Sequence, residues 1–286
     1  MTHALFVFGT GPLPDHADLL ADLGLEATQP TTLGPGARRY ALRLERSPAP
    51  LRQPLRERFA ARGLDAFLRE ASALRPPGLL VFDMDSTLIR VEVIDELARL
   101  HGVANEVTSI TRRAMNGELD FEGSLRARVA LLEGLALPKA LALSDALPVQ
   151  AGAERLLAAL RPHGTRTAVF SGGFTFAAER LAARLGLDEV RANVLQAEGG
   201  ALTGRVEGEV VTPERKAQYL EALRDSLGVR ESDVVAVGDG ANDALMLAAA
   251  GFGVAFHAKP YLAERADACL SEGGLDRLLP LFGLEM

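Results

Sequence analysis

Along the first 75 residues, short apolar stretches alternate with segments of helical spacing. Leu5–Phe8 and Tyr40–Leu44 read as β-like pieces, and the regions around His16–Leu23 and Pro50–Arg62 as helices. PTTLGPGA, residues 30–37, reads as a loop, because Gly, Pro and Thr cluster there. Pro76-Pro77-Gly78 then punctuates the chain, and a domain boundary is placed there, giving an N-terminal α+β domain over 1–75 and a larger one over 76–286. In the larger part the pattern predicts strands at Gly78–Phe82, Thr167–Phe170, Glu189–Val194, Val234–Val237 and Gly253–Phe256. Helices are predicted at Glu154–Leu160, Phe174–Leu185, Pro213–Leu227 and Ala241–Ala250. Such alternation implies an α/β fold, a Rossmann-like parallel sheet with helices on both faces. From about 91 to 147 the pattern is helical without a strand, too long for a crossover, and reads as an inserted helical cap. LTGRVEGEVV, residues 202–211, reads as a small hairpin with Gly204 and Gly208 at or near its turns.

Composition narrows the function without naming it. The 286 residues are 48% hydrophobic and 24% charged, enough for one large or two modest globular domains. With 31 basic and 38 acidic residues the formal charge is -7, which argues against a nucleic-acid partner. Cys269 is the one cysteine, so no intrachain disulfide can form, and a reducing compartment follows. The five histidines are scattered without metal-ligand spacing, which disfavours zinc. The opening MTHALFVFGTGPLPD has no leader-like pattern, and no apolar stretch is long enough to span a bilayer. A cytoplasmic location with no membrane partner is expected.

Ligands of open α/β sheets gather beyond the carboxyl ends of the strands. After the first predicted core strand come Asp83, Asp85, Ser86 and Thr87; after the second, Ser171, Gly172 and Gly173; after Val234–Val237, Gly238, Asp239, Gly240, Asn242 and Asp243. Carboxylates, a hydroxyl and glycine-rich turns together suit a hard divalent cation and a phosphate. Mg²⁺ takes oxygen ligands, with Asp83 and Asp239 the obvious carboxylates. Ser171 and the amides beyond Gly172-Gly173 suit phosphate oxygens, and Lys216 would neutralise phosphate charge. Each piece alone has a plainer reading: a strand-end turn, a helix cap, an exposed lysine. Gly9-Thr10-Gly11 is discounted as a nucleotide loop because Pro12 follows it.

DMDST, SGG, Lys216 and GDGAND, in that order, resemble the four motifs of the haloacid dehalogenase-like phosphatases. VEVIDELA, MNGELDFEGSLRARV, VFSGGF, LTGRVEGEVV and AFHAKP resemble, more narrowly, the branch of that family acting on phosphoserine. The resemblance runs from about residue 78 to the C-terminus. It implies that Asp83 is the nucleophile that becomes an aspartyl phosphate, and Asp85 the general acid and then base. It also implies Mg²⁺ held by Asp83, the backbone carbonyl of Asp85 and Asp239, with Asn242 and Asp243 positioning waters and Lys216. In the cap it implies that Glu92 meets the substrate ammonium, Arg128 its carboxylate, and Met115 and Phe121 close over it. The implied reaction is hydrolysis of the small molecule O-phospho-L-serine to serine and phosphate, the final step of serine biosynthesis. Open alternatives are another phosphomonoester, a phosphotransferase, a non-catalytic sensor, and a Glu92–Arg128 surface salt bridge. The N-terminal part weakly resembles ACT-like regulatory domains, and a homodimer is left open.

Overall fold

The computed structural model describes residues 2–26, 29–44 and 48–286. β1 (Thr2–Phe8), α1 (Ala17–Ala21), β2 (Thr31–Gly34), β3 (Ala37–Arg43), α2 (Ala49–Ala60) and β4 (Asp65–Glu70) form the first unit. Its four strands pair antiparallel in the order β2-β3-β1-β4. Strand alternation sorts its side chains by face. Leu5, Val7, Tyr40, Leu42 and Leu68 pack with Leu20, Leu55 and Phe59 of the two helices. Phe6, Phe8 and Phe67 turn the other way and stack on one another, with ring centroids 5.6–6.4 Å apart. That face joins the core of the larger unit, against Leu278, Leu281 and Phe282. The expected loop at 30–37 is mostly strand. Only Pro35-Gly36 turns, with Gly36 at φ 68°, and the Gly/Pro/Thr cluster marks a hairpin tip rather than a loop. β4 carried no clear alternation and was not anticipated.

The larger unit contains β5 (Leu79–Phe82), α3 (Val93–His101), α4 (Ala104–Met115), α5 (Phe121–Ala130), α6 (Leu137–Asp145), α7 (Ala153–Leu160), β6 (Arg166–Phe174), α8 (Thr175–Leu185), β7 (Glu189–Glu198) and β8 (Ala201–Glu207). It continues through α9 (Pro213–Leu227), β9 (Val234–Gly238), α10 (Ala244–Ala249), β10 (Phe252–Phe256), α11 (Pro260–Ala263) and β11 (Ala268–Leu270). Its seven strands run in the order β11-β10-β9-β5-β6-β7-β8, parallel except for β8. Leu79 and Val81 face Leu220 of α9 and Met246 of α10, whereas Leu80 and Phe82 share the opposite core with α7 and α8. Helices therefore cover both faces, as a sheet of uninterrupted apolar strands requires. The chain leaves β5 through four cap helices, α3 to α6, and reaches β6 by way of α7. β9 returns on the other side of β5, which makes the end of β5 a switch point where ligands collect.

Three expectations are corrected. The hairpin is β7–β8, turning at Gly199-Gly200, with φ 57° and 83°, so Gly204 lies inside β8 and Gly208 beyond it. Gly204 has φ 73°, and a Cβ there would lie 3.0 Å from the Ala130 carbonyl oxygen, so it marks where the hairpin presses on α5. Ser171-Gly172-Gly173 lies within β6, whose register with β7 shifts between Phe170 and Phe174, rather than in a turn after the strand. The helix expected over Ala241–Ala250 is a 3-10 turn at Ala241–Asp243 followed by α10. No helix among the described residues is long and apolar enough to cross a membrane.

Candidate active site

Asp83 is the first residue past β5, and its backbone N–H donates to Val237 O of β9 at 2.9 Å. That bond fixes the carboxylate at the seam between two central strands. From the far side comes Lys216, in the first turn of α9, a helix started by Pro213 and by Thr212, whose Oγ1 accepts the Arg215 N–H at 3.3 Å. Lys216 is fully buried, and its Nζ donates to Asp83 Oδ1 at 2.7 Å and Asp243 Oδ1 at 2.8 Å. Burial alone would depress its pKa, but the Asp243 and Asp83 carboxylates outweigh burial and raise it, so the lysine stays an ammonium. Asp243 is held on both oxygens, since Oδ2 also accepts the Asp239 and Gly240 N–H groups at 3.1 Å. It braces the lysine and the turn rather than facing the cavity. A Cβ on Gly238 would lie 2.5 Å from the Asp243 carboxyl carbon, so this bracing requires glycine there.

Oxygens of Asp83, Asp239 and Asp243 approach within 4.8 Å of one another, all buried. Burial, then Asp83 and Asp243, push the Asp239 carboxyl up to about 8, and no described residue hydrogen-bonds to it. Burial and Asp243 likewise push Asp83 up, to about 7, against the pull of Lys216. Lys216 thus pairs with Asp83 and Asp243 but not with Asp239, which has only the more distant pull of Lys259, and the three carboxylates are a set of hard oxygens that fits a divalent cation. Asp85 is different. Burial, then Glu92 and Asp83, raise it well above the carboxylate range, and its Oδ1 accepts only the Val93 N–H, at 3.4 Å. It is placed to carry a proton.

Asp83, Asp85, Glu92, Phe121, Arg128, Ser171, Gly172, Asp239 and Asn242, nine residues expected from the sequence, line one cavity of about 360 Å³. Ser171 Oγ accepts the Gly173 N–H at 2.8 Å, and Asn193 secures this strand end by donating to Gly172 O at 2.8 Å. A Cβ on Gly172 would meet Phe121 Cζ at 2.8 Å, and one on Gly173 would meet Asp85 Oδ2 at 2.8 Å. The strand end therefore touches the cap on one side and the acid on the other, and glycine makes both approaches possible. In the cap, Asp120 caps α5 by accepting the Gly123 N–H at 2.7 Å. Phe121, Leu125 and Arg128 then share one face of that helix toward the cavity.

Glu92 and Arg128 do not form the alternative salt bridge. Glu92 Oε1 accepts Ser86 Oγ–H at 2.8 Å, and Arg128 Nε donates to Ser124 O at 3.3 Å, with no ion pair between them among the described residues. Burial lowers the Arg128 pKa, with Glu92 and Asp95 pulling it back. Ser86 takes φ 57°, an unfavourable conformation for a side chain, to reach Glu92. Met115 is not brought in. It ends α4, 76% exposed, and Thr111 one turn earlier lines the cavity in its place. Sequence reasoning passed over Thr111 and Asn193, which lie in no quoted motif, and Asp95, which lies within VEVIDELA but was given no role, and it assigned no chemistry to Lys259, which lines the cavity and whose N–H donates to Asp239 O at 3.0 Å.

The central sheet, the inserted cap, the three converging strand ends and the lysine of α9 define a class. Residues 78–251 match the haloacid dehalogenase-like hydrolase family, and the chain belongs to it. Its relatives by sequence include the phosphoserine phosphatases of Archaeoglobus fulgidus, 42% identical over 81% of this chain and 67% of that one, and of Vibrio cholerae, 45% identical over 73% and 64%. The chain thus spans about two thirds of the length of these relatives. By structure it is similar over its whole length to a haloacid dehalogenase family hydrolase of Salmonella enterica serovar Typhi, with TM-score 0.87 and 28% identity, covering 100% of this chain and 99% of that one.

Proposed function

We propose that the chain is a phosphoserine phosphatase, hydrolysing O-phospho-L-serine to L-serine and phosphate in the last step of serine synthesis. The observation that carries this reading is the cavity itself. Asp83 tied to Lys216, a protonatable Asp85, and an unpaired Glu92 and Arg128 all open onto one space. The substrate phosphate enters between Asp83 and the Ser171–Gly173 strand end, its ammonium meets Glu92, and its carboxylate takes two N–H donors from the Nη1 and Nη2 end of Arg128, whose Nε is already bonded to Ser124 O.

Asp83 attacks phosphorus while the P–O bond to the serine oxygen breaks, and Asp85 donates its proton to that oxygen. Serine leaves, and Asp85, now a carboxylate, takes a proton from water as the water attacks the aspartyl phosphate. The new P–O bond forms, the acyl–phosphate bond breaks, and Asp83 is restored with release of inorganic phosphate. Lys216 favours the ionised form of Asp83 and compensates the charge of the transferring group. Asp83, Asp239 and the Asp85 carbonyl would hold Mg²⁺, with Asn242 and Asp243 supporting it. Bound there, it would offset negative charge on the phosphoryl oxygens. Phe121 covers the site and excludes water.

Residues 76–286 are read as the catalytic unit and 1–75 as a smaller ACT-like unit. A single cysteine and an ordinary acidic charge fit a cytoplasmic enzyme. The test is phosphate release from a panel of phosphomonoesters, with and without Mg²⁺. Mg²⁺-dependent release from L-phosphoserine, abolished in Asp83→Asn, is expected. Release from another ester alone would retain the chemistry and overturn the substrate, whereas phosphoserine binding without release would make the chain a sensor.

A further inference from the structure

The proposed reaction leaves Lys259 unused, although this lysine lines the same cavity as Asp83 and Arg128. Its backbone is firmly placed. The Lys259 N–H donates to Asp239 O at 3.0 Å, and Lys259 O accepts the Leu262 and Ala263 N–H groups at 3.1 Å as α11 opens at Pro260. Two residues earlier, His257 takes φ 46° while its N–H donates to Leu270 O at 2.8 Å. Among the described residues only Ser86 and His257 are non-glycine residues at positive φ, and Ser86 reaches Glu92 at the cavity. Such backbone costs energy and persists where the surrounding structure imposes it. The turn from β10 to α11 therefore fixes Lys259 against the Asp239 turn.

The side chain has no such tie. Lys259 is exposed, and among the described residues the lysine ion pairs are those of Lys216 alone. Its charge is nonetheless felt inside the site: burial, Asp83 and Asp243 raise the Asp239 carboxyl, and Lys259 is the cation that pulls it back. Five carboxylates line the cavity, Asp83, Asp85, Glu92, Asp95 and Asp239, against two cations, Arg128 and Lys259. Arg128 belongs to the cap, where Glu92 and Asp95 act on it, and Lys216 lies behind the cavity, shared by Asp83 and Asp243. Lys259 is thus the uncommitted cation on the Asp239 side. An anionic ester approaching five carboxylates needs positive charge at the mouth to enter.

We propose that Lys259 is a phosphate-binding residue, whose ammonium takes up the phosphate of the incoming ester at the cavity mouth and holds inorganic phosphate there after hydrolysis. It donates to phosphoryl oxygens from the solvent side, while Lys216 acts from the buried side through Asp83. Lysine suits this position, as a point charge on a flexible stem that can follow the phosphate inward. The inference rests on the phosphatase reading, since it needs a phosphate at this site. Because the contact is made to substrate and product alike, it lowers KM and strengthens product inhibition, and leaves kcat to Asp83 and Asp85.

The test compares the full-length chain with Lys259→Met, which removes the charge and keeps a long side chain, and with Lys259→Arg. Inorganic phosphate is titrated in the presence of Mg²⁺ and followed by ³¹P NMR, Mg²⁺ alone is titrated by calorimetry, and phosphoserine turnover is measured over a range of ionic strength. In Lys259→Met, phosphate should bind about 3- to 20-fold more weakly and KM should rise by a similar factor, with kcat changed less than about twofold. Both losses should shrink as salt is added, and Lys259→Arg should restore most of the affinity. Mg²⁺ affinity should hold or rise, because a positive charge near Asp239 is gone. Phosphate affinity and salt dependence equal to those of the wild type would overturn the inference, as would a fall in kcat at unchanged KM. A parallel loss of Mg²⁺ affinity would overturn it too, and make Lys259 a prop for the Asp239 turn. A wild-type chain that hydrolyses no ester would defeat the phosphatase reading instead, and the phosphate titration would still decide the role of Lys259.

Discussion

Asp83 and Asp85 leave β5 one residue apart, yet Lys216 reaches only the first of them. The ammonium favours an ionised nucleophile, while burial beside Glu92 favours a protonated acid. Asp85→Asn should therefore spare attack on an activated ester, whose leaving group needs no proton, and disable both proton transfers on phosphoserine. A burst of p-nitrophenol from p-nitrophenyl phosphate followed by a stall is expected, with phosphoserine turnover down about 10²- to 10⁴-fold. Equal losses on the two esters without a burst would remove Asp85 from proton transfer. The same carboxylates set a pH dependence. Asp83, raised to about 7, and Asp239, raised to about 8, hold protons in the metal-free fold that the unfolded chain has released above roughly pH 4. The folded state thus binds more protons across roughly pH 4–8, and its stability falls as the pH rises through that window. A cation in the cluster cancels the repulsion. At about 100 times its Kd at pH 8, Mg²⁺ should raise the Tm by roughly 5–10 °C at that pH, and the same concentration by clearly less at pH 5, where protons compete for the carboxylates. A larger gain at pH 5 would count against the cluster as the metal site.

The cap works as an element because α5 presents Phe121 and Arg128 from one face, and because β6 ends in residues small enough to meet them. Gly172→Ala puts a methyl 2.8 Å from Phe121 Cζ, so the ring must shift away from the strand end. A displacement of that order should lower kcat/KM for phosphoserine roughly 10- to 100-fold at nearly unchanged Tm. The double variant Gly172→Ala/Phe121→Ala should recover part of that loss. If the second change adds its own loss in full, the contact does not position the cap. At this scale the sequence was legible wherever burial was two-sided. Leu79–Phe82 and Val234–Gly238 are uninterrupted apolar runs because helices cover both faces, and the carboxylates that end them stood out for that reason. It was less legible where one turn signal served two structures. Glycines at 199–200 turn the β7–β8 hairpin while those at 204 and 208 do not, and the cluster at 30–37 closes a hairpin. Met115 has the same reason. Its position in a helix was readable, but which way the end of α4 points is decided by tertiary packing, and that favours Thr111.

Across the whole molecule, the N-terminal sheet is built into the larger unit rather than tethered to it. Its Phe6–Phe8–Phe67 face belongs to the same buried cluster as Leu278, Leu281 and Phe282 at the far end of the chain. Polar ties frame that contact: Arg277 Nη2 donates to Gly9 O at 3.0 Å, the Ser271 N–H to Asp65 Oδ2 at 2.7 Å, and Arg56 Nη2 to Ala266 O at 2.7 Å. The boundary at Pro76–Gly78 divides the chain by topology, since no strand crosses between the two sheets. It says less about cooperativity, which follows the shared core. Phe67 is buried to 3% and stacks on both Phe6 and Phe8, so Phe67→Ala should cost about 3–5 kcal/mol. Because the cavity opens between the units, that cost should fall on both. Calorimetry of the variant is expected to show one transition, shifted down as a whole, with loss of phosphatase activity on heating following it. Two transitions, the upper at the wild-type temperature and coincident with loss of activity, would mean that the sheet folds and melts by itself and that the catalytic unit does not depend on the aromatic face.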